Sequence, residues 1–208
     1  MLLNGGRPMN QSEFDHKISR SEFETLQGSL VYIAIILDLQ SAQIVKSRIV
    51  KPEFIRSIAT LIDNCDIYSF QGAEEFLHAL LLINENLSSN QKILMQMNEP
   101  ILNHLLRVLL SKIKSESADI RFLSLKIFTD IIIQYLNDDS IYDLRSGLPD
   151  SQISENGNNV MMTTKFINDL LLKDLFPLFR LILQDNDPVP LFGLKLLSAI
   201  VEKNPAFV

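Results

Sequence analysis

The side chains that most often bind metals or perform catalysis are few in this sequence and lie far apart. Its three histidines, His16, His78 and His104, include no pair spaced four residues apart, and Cys65 is the only cysteine. Metal sites in proteins need three or four such ligands, usually at short recurring spacings. Cys65 also has no histidine or lysine beside it in the sequence that would activate its thiol. We therefore expect no metal site, no cofactor and no catalytic residue in this chain.

Calcium binding and kinase catalysis are excluded because residues of the corresponding motifs are missing. The acidic stretch Asn137 to Asp143, NDDSIYD, is similar to the start of a calcium-binding loop. Such a loop needs a glycine at its sixth position and a glutamate at its twelfth, and neither is present. The sequence also contains no glycine-rich phosphate loop, no VAIK lysine and no HRD or DFG motif. It predicts neither calcium binding nor kinase catalysis, and we expect the chain not to be an enzyme.

Two groups of polar residues remain as candidates for protein binding. Lys126 and Lys195 occupy matching positions in two similar helical segments, and repeated lysines of this kind can form a ladder that meets an acidic partner. Residues 138–162 form a long acidic segment whose hydroxyl groups make it a candidate phosphorylation or docking loop: Ser140, Tyr142, Ser146 and Ser151. The alternative in both cases is a solvated surface that has no partner.

The elements that must position these residues are helices. Hydrophobic residues make up 47% of the chain with only seven glycines, and they recur at helical rather than alternating spacing. Ser21 and Glu24 form a capping box that should open the first helix. Pro52 and Pro100 favour the first turns of two later helices, and Ser117 suits the N-cap of a long one.

These signals divide the chain into a lead-in and one helical domain. Residues 1–20 are polar and form a flexible lead-in, and residues 21–208 form the domain, which the acidic loop 138–162 interrupts. A short helix is expected at 41–48. After the loop, helical spacing resumes at Thr163, begins again at Pro177 and continues in a last helix after the turn DNDP at 185–188.

An internal repeat organises the helices. Two copies match over these segments: 105–107 with 178–180, 122–128 with 191–197, and 131–132 with 200–201. A third, fainter copy contains FIRSIATLI and FQGAEEFLHALL. Each copy has two apolar helices joined by a polar turn, at a spacing of roughly 45 residues that is typical of HEAT and armadillo units. Ser124 and Gly193 are small residues at matching positions, where paired helices can approach closely.

We therefore predict an all-α fold, a HEAT/armadillo-like α-solenoid of about two and a half to three stacked units. The alternative is a chance match between amphipathic helices of a bundle without repeats. The last helix is apolar on nearly all sides, so we interpret it as part of an interior repeat in a fragment of a longer solenoid.

The net charge and the distribution of apolar residues limit the kinds of partner that the chain can bind. The net charge is −6, which disfavours nucleic acid because its phosphate backbone requires a basic surface. The first residues lack a signal-peptide core, and the apolar run at 30–37 is too short to span a membrane. We expect an intracellular protein without nucleic-acid or membrane partners, whose partners are other proteins or further repeats of the same chain.

The carboxyl-terminal third resembles a known family. The segments NDDSIYD at 137–143, KFINDLLLKDLFPLF at 165–179 and DPVPLFGLKLLSAIVEKNPAF at 187–207 are similar to the helical-repeat region of the fourth Unc-51-like kinase family. That family is related to the Fused kinases and includes the plant RUNKEL-type proteins. The resemblance covers the last 70 or so residues well and is vague before about residue 90, and the kinase domain itself has no counterpart in this chain.

The resemblance implies a repeat scaffold that accompanies a kinase or pseudokinase domain. It further implies a role at microtubules, cilia or other cytoskeletal structures in the cytoplasm, reached through partner proteins because the chain is acidic. One alternative is a free-standing armadillo/HEAT adaptor, for example in vesicle traffic, with no kinase attached. Another is a small helical enzyme or lipid carrier, which would need a lined interior pocket.

Overall fold

In this computed structural model the described residues are 19–39, 52–64, 70–85, 99–137 and 165–203. Within these ranges the chain forms seven helices and no strand: α1 (Arg20–Leu39), α2 (Pro52–Asp63), α3 (Phe70–Glu85), α4 (Glu99–Lys112), α5 (Ala118–Leu136), α6 (165–183) and α7 (Val189–Lys203). The predicted helix at 41–48, most of the lead-in and the acidic loop lie outside the described residues.

The helices form two layers. In one layer α1, α3, α5 and α7 pack side by side in chain order, and in the other α2 packs against α4, which an ion pair joins to α6. Contacts between the layers pair α2 with α3, α4 with α5, and α6 with α7. We call these pairs hairpins 1, 2 and 3, each with a first and a second helix. The predicted α-solenoid is confirmed, and the faint third copy of the repeat is hairpin 1.

The core lies between the two layers because each helix buries one apolar stripe there. Phe76 of α3 and Phe128 of α5 are fully buried, and aromatic rings also meet from one helix to another. The ring of Phe54 lies 6.1 Å from that of Phe76, and Phe122 of α5 meets Phe192 of α7 edge to face at 5.4 Å. Burying one such side chain contributes about 1.5–3 kcal/mol, so stacking supplies stability that a single hairpin lacks.

Three predicted helix starts are confirmed, including Pro100 in the first turn of α4, and the predicted capping box of α1 is wrong. Ser117 caps α5 by accepting a hydrogen bond from the Ile120 N–H at 3.5 Å, and α2 begins at Pro52. The capping box of α1, however, uses Ser19 and Glu22 rather than Ser21 and Glu24.

The true cap of α1 satisfies two backbone donors. The Ser19 hydroxyl accepts from the Glu22 N–H at 3.3 Å, and the Glu22 carboxylate accepts from the Ser19 N–H at 2.8 Å. The Ser19 hydroxyl also donates to the Glu22 carboxylate at 2.7 Å, and this bond, followed by the one from the Ser19 N–H, lowers the pKa of Glu22. The sequence holds the S-x-x-E pattern in two overlapping frames, and the earlier frame also lets the backbone of Phe23 bond to Ser19. Glu24 instead pairs with Arg20.

The expectation that a helix begins again at Pro177 is also wrong. Helix α6 continues through this residue by changing its winding, with a π-helical turn at Leu171–Leu175 and a 3-10 turn at Phe176–Leu178 before α-helix resumes at Phe179–Leu183. Proline has no N–H to donate and its ring collides with the carbonyl four residues earlier in a regular helix. The local change in winding is a known way to accommodate that conflict.

Small residues set the closest helix approaches. A Cβ placed on Gly193 of α7 would lie 2.4 Å from Cγ2 of Ile182 in α6, so any larger residue there would force the Ile182 side chain or the helices to shift. A Cβ on Gly72 of α3 would lie 3.0 Å from the carbonyl oxygen of Gln27 in α1. Ser124, the counterpart of Gly193 in α5, is fully buried. The predicted role of a small residue at this point is borne out for Gly193.

Candidate functional site

The described residues contain no cluster suited to metal binding. No group of three or more His, Cys, Asp or Glu side chains comes together among them. His78 is exposed and His104 is half-buried, each on a different helix, whereas His16 and Cys65 lie outside the described ranges. Across the same ranges, every helix falls short of the length and hydropathy needed to cross a membrane. The features left to consider are surfaces rather than cavities.

Lys126 lies at the junction between hairpins 1 and 2. Its Nζ forms a short ion pair with Glu74 on α3, the preceding second helix. Both side chains are roughly two-thirds shielded from solvent. Lys126 is therefore held by its own chain, although its side chain remains partly exposed.

Lys195 repeats this arrangement one hairpin later. Its Nζ lies 3.5 Å from Oδ1 of Asp130 on α5, again on the preceding second helix. The same Nζ lies 5.6 Å from the centre of the Phe192 ring, within the range of a cation–π contact. The Lys195 side chain is 54% exposed, which makes it more accessible than Lys126. The predicted lysine ladder thus exists as two lysines, each paired with an acid of the helix before it.

The layer of first helices carries corresponding junction pairs. Lys112 of α4 donates to the Asp63 carbonyl oxygen at 2.6 Å and lies 3.7 Å from the Asp63 carboxylate, next to α2. Arg107 of α4 lies 3.1 Å from the Asp174 carboxylate on α6. Among the described residues, each junction between hairpins is therefore spanned by at least one ion pair in each layer.

The Arg121 guanidinium makes several hydrogen bonds and connects two turns of the chain. The Arg121 guanidinium donates Nε and Nη2 to the two carboxylate oxygens of Asp185, at 2.5 and 2.7 Å. Its Nη1 donates to the carbonyl oxygens of Ser115 and Glu116, both at 2.9 Å. The turn between α4 and α5 is thereby tied to the turn between α6 and α7. The hydrogen bond from Arg121 holds the pKa of Asp185 below its ordinary value and raises that of Arg121 itself.

A shallow cleft separates the first helices of hairpins 2 and 3. It has a volume of about 180 Å³ and is lined by one acid, three polar or basic residues of α4 and the turn after it, and two leucines: Asp174, Arg107, Ser111, Lys114, Leu110 and Leu178. Ligand pockets usually enclose about 300–1,000 Å³. The cleft is too small and too open to serve as the lined interior pocket that an enzyme or lipid carrier would need.

The structure brings together some predicted residues and adds others. Lys126 and Lys195 lie on the neighbouring second helices α5 and α7, while Ser140, Tyr142, Ser146 and Ser151 lie outside the described residues, so both interaction hypotheses stay predictions. Sequence reasoning missed the acids that pair with the lysines, and it missed the pair of Arg121 and Asp185. Those partners are separated from the basic residues by more than fifty positions, so only a full alignment of the repeats could have indicated them.

Comparison with known proteins agrees with this architecture. Residues 9–208 match the family model described as "Serine/threonine-protein kinase ULK4-like, HEAT repeats". The chain is 25% identical to the mouse serine/threonine-protein kinase ULK4 over 207 residues, which cover 90% of the chain and 15% of that protein. It is 27% identical to the Arabidopsis serine/threonine-protein kinase RUNKEL over 169 residues, covering 81% of the chain and 11% of the relative. No solved structure matches it.

The chain thus spans only a small part of the curated relatives that it matches, and the matching part consists of repeats. The family model covers nearly all of its length, including every described helix. The two-layer stack of three hairpins has the architecture that the family description names. The chain belongs to the HEAT-repeat family of ULK4-like serine/threonine-protein kinases.

Proposed function

We propose that the chain is a protein-binding scaffold segment of a ULK4-like kinase or pseudokinase, acting in the cytoplasm at microtubule or ciliary structures. The observation that carries the proposal is the family match, which covers a stack of HEAT hairpins whose described part contains no metal-binding cluster. Stacked repeats provide extended surfaces, and such surfaces are used mainly to bind other proteins. In this proposal the chain itself performs no catalysis.

The outer side of the second helices is the proposed binding surface. It runs across α3, α5 and α7 and carries Lys126 and Lys195 with their paired acids. A partner with an acidic segment would compete with Asp130 for Lys195, whose side chain is the more exposed of the two lysines. Residues 138–162, with Ser140, Tyr142, Ser146 and Ser151, are proposed as a second, phosphorylation-dependent docking segment.

The net charge supports an indirect attachment to microtubules. A chain of charge −6 is repelled by an acidic polymer, so contact through a partner protein is favoured over direct contact. The same charge supports the proposal that nucleic acid is not a partner.

The first test is sedimentation with purified microtubules. We expect the purified chain to stay in the supernatant with bare microtubules and to pellet with them when a cytoskeletal extract is added. Lys195→Glu should weaken pelleting, whereas the matched substitution Lys203→Glu, at the end of the same helix, should leave it unchanged. Salt-sensitive pelleting with bare microtubules would contradict the indirect attachment, and a failure to pellet in either case would contradict the microtubule role.

The size of the native polypeptide tests the connection to a kinase. An antibody raised to residues 163–203 should detect a band well above the 23.7 kDa of this chain. A single band near that mass would instead favour the free-standing adaptor. Immunofluorescence with the same antibody should label cilia or microtubule arrays, and uniform cytoplasmic labelling would contradict the proposed location.

A further inference from the structure

The layer of first helices is interrupted between hairpins 2 and 3. Helix α2 packs against α4, whereas no comparable packing joins α4 to α6 within the described residues, where the ion pair of Arg107 and Asp174 connects these two helices. The cleft of about 180 Å³ lies in this gap. It therefore marks a local departure from the regular stacking of the hairpins.

The irregular winding of α6 shapes one wall of the cleft. Of the α6 residues that line it, Asp174 lies in the π-helical turn and Leu178 in the 3-10 turn. Turns of π-helix inside α-helices are frequent at functional sites. The gap in the layer and the irregular turns occur at the same place, which makes the cleft a candidate binding site.

The size of the cleft limits what it can hold. Sites for whole small molecules usually enclose about 300–1,000 Å³, and this cleft is smaller and open to solvent. It can hold one side chain of a larger partner, whose remaining contacts lie outside the cleft. The occupant that fits is a peptide segment of another protein that inserts a single residue.

The hydrogen-bond donors around the cleft favour an acidic side chain. Arg107 donates Nε to Oδ1 of Asn103 at 2.7 Å and Nη1 to Asp174 at 3.1 Å, which leaves its Nη2 donors without a partner among the described residues. Lys114 is exposed and forms no ion pair within the same part of the chain. Two positively charged residues with unused N–H groups therefore line one cleft.

The net charge distinguishes a carboxylate from a phosphoryl group. The lining carries two basic residues and one acid, so a single positive charge is in excess. One glutamate or aspartate balances it, whereas a phosphoryl group carries a charge of about −1.5 to −2 and would be repelled by the Asp174 carboxylate. Leu110 and Leu178 complete the lining, and an apolar surrounding strengthens a hydrogen-bonded ion pair.

We propose that the cleft between α4 and α6 binds an acidic peptide segment of a partner protein. One glutamate or aspartate of that segment accepts hydrogen bonds from Lys114 and from Nη2 of Arg107. This inference goes beyond the proposed function because the cleft lies in the layer of first helices, whereas the proposed scaffold surface lies on the second helices. It does not depend on attachment to microtubules.

A displayed library of random dodecapeptides tests the site without knowledge of the partner. We would select peptides that bind the purified chain and discard those that also bind the Lys114→Glu variant. We expect the selected peptides to share an acidic residue. Replacing that residue by glutamine in the synthetic peptide should weaken binding about fivefold, and added salt should weaken it further.

Variants of the chain locate the bound carboxylate. Asp174→Asn should tighten binding of the selected peptide about two- to fivefold, because it removes a negative charge and frees Nη1 of Arg107. A disturbance of the fold would not produce such a gain. Lys173→Glu, a charge reversal on the neighbouring residue that is 70% exposed and does not line the cleft, should change the affinity little.

Three outcomes would overturn the proposal. The first is a selection that enriches no peptide, and the second is unchanged or weaker binding to Asp174→Asn. The third is tighter binding when phosphoserine replaces the acidic residue of the peptide, which would make a phosphorylated partner the occupant. Equal urea midpoints of the natural chain and its variants would show that each difference in affinity arises at the cleft and not from unfolding.

Discussion

At the scale of single residues, the structure depends on a few side chains that connect segments far apart in sequence. Arg121 is the clearest example because its guanidinium bonds to Asp185 and to two backbone carbonyls at once. Only 19% of the Arg121 side chain and 11% of the Asp185 side chain are exposed, so solvent cannot easily replace the lost partner when one of them is removed.

Arg121→Ala is expected to lower the free energy of unfolding by about 1.5–3 kcal/mol, the range for hydrogen bonds to charged groups. Arg107→Ala removes a more exposed pair and should cost less than about 1 kcal/mol. Urea unfolding followed by circular dichroism would measure both. Equal losses for the two substitutions would show that the connection between the turns adds no special stability.

The Arg121 pair also predicts how stability depends on pH. The folded state lowers the pKa of Asp185, chiefly through the Arg121 hydrogen bond, so the pair stabilises the fold when the carboxylate is ionised. This contribution is complete above the ordinary aspartate pKa of about 3.9 and is lost as pH falls through the lowered value. The stability difference between the natural chain and Asp185→Asn should therefore be constant near neutral pH and shrink in acid. A difference that does not change down to pH 2 would contradict this assignment.

The three helical glycines with known surroundings give a second prediction at this scale. Alanine favours a helix over glycine by about 1 kcal/mol when nothing obstructs its Cβ. Gly28→Ala should therefore stabilise the chain, because no atom lies within 4 Å of the added group. Gly193→Ala should destabilise it, because the branched Ile182 side chain is buried and cannot move aside, and overpacking costs about 1–3 kcal/mol.

A second substitution that removes the collision with Ile182 tests whether that collision causes the loss of stability in Gly193→Ala. Ile182→Leu moves the branch of that side chain away from its Cβ, so the double variant with Gly193→Ala should recover part of the loss. Thermal unfolding of the single and double variants would measure the coupling between these two positions. Additive losses would mean that Ile182 is not the obstacle.

At the scale of elements, most helices could be predicted from the sequence, while their junctions could not. Apolar spacing and the signals at Pro52 and Ser117 were sufficient for helix positions because these effects are local. The cap of α1 was misplaced since two overlapping S-x-x-E frames are equally good as local signals. The path through Pro177 was missed because a change of helical winding depends on packing around α6 and leaves no distinct sequence pattern.

The lysine pairs belong to this scale because they act between helices. The matched lysines indicated a shared position, but their acidic partners lie on other helices and at different helical positions. Sequence reasoning therefore suggested an external acidic partner where the structure also provides an internal one. Stability and binding must be separated experimentally before either role is assigned to Lys126.

Exchanging the two charges of the Lys126–Glu74 ion pair would separate an effect on stability from an effect on binding. Lys126→Glu should destabilise the chain by placing two carboxylates together, and Glu74→Lys in the same chain should restore most of the loss. The expected coupling is about 0.5–1 kcal/mol and should decrease with added salt because both groups are partly exposed. Unfolding in urea at low and high salt measures the coupling. If the variant with the reversed charges regained no stability, the contact between Lys126 and Glu74 would have no energetic role.

At the scale of the whole molecule, stability should follow position in the stack. Among the described helices, each hairpin packs mainly against its neighbours, and α1 covers hairpin 1, so α1 and hairpin 3 are the ends that have packing on one side only. Native-state hydrogen exchange should therefore be slowest in α4 and α5 and faster in α7, whose far side is exposed. Uniform exchange across all described helices would indicate a single cooperative unit instead of a gradient.

The contacts of hairpin 3 have a consequence for chain connectivity. It is held to hairpin 2 by the packing of α7 on α5, by Arg107 with Asp174 and by Arg121 with Asp185, none of which involves residues 138–164. The covalent link between the two parts gives them a high effective concentration for each other. Because the described contacts join the parts directly, pieces expressed separately, one ending before this segment and one beginning after it, are expected to assemble.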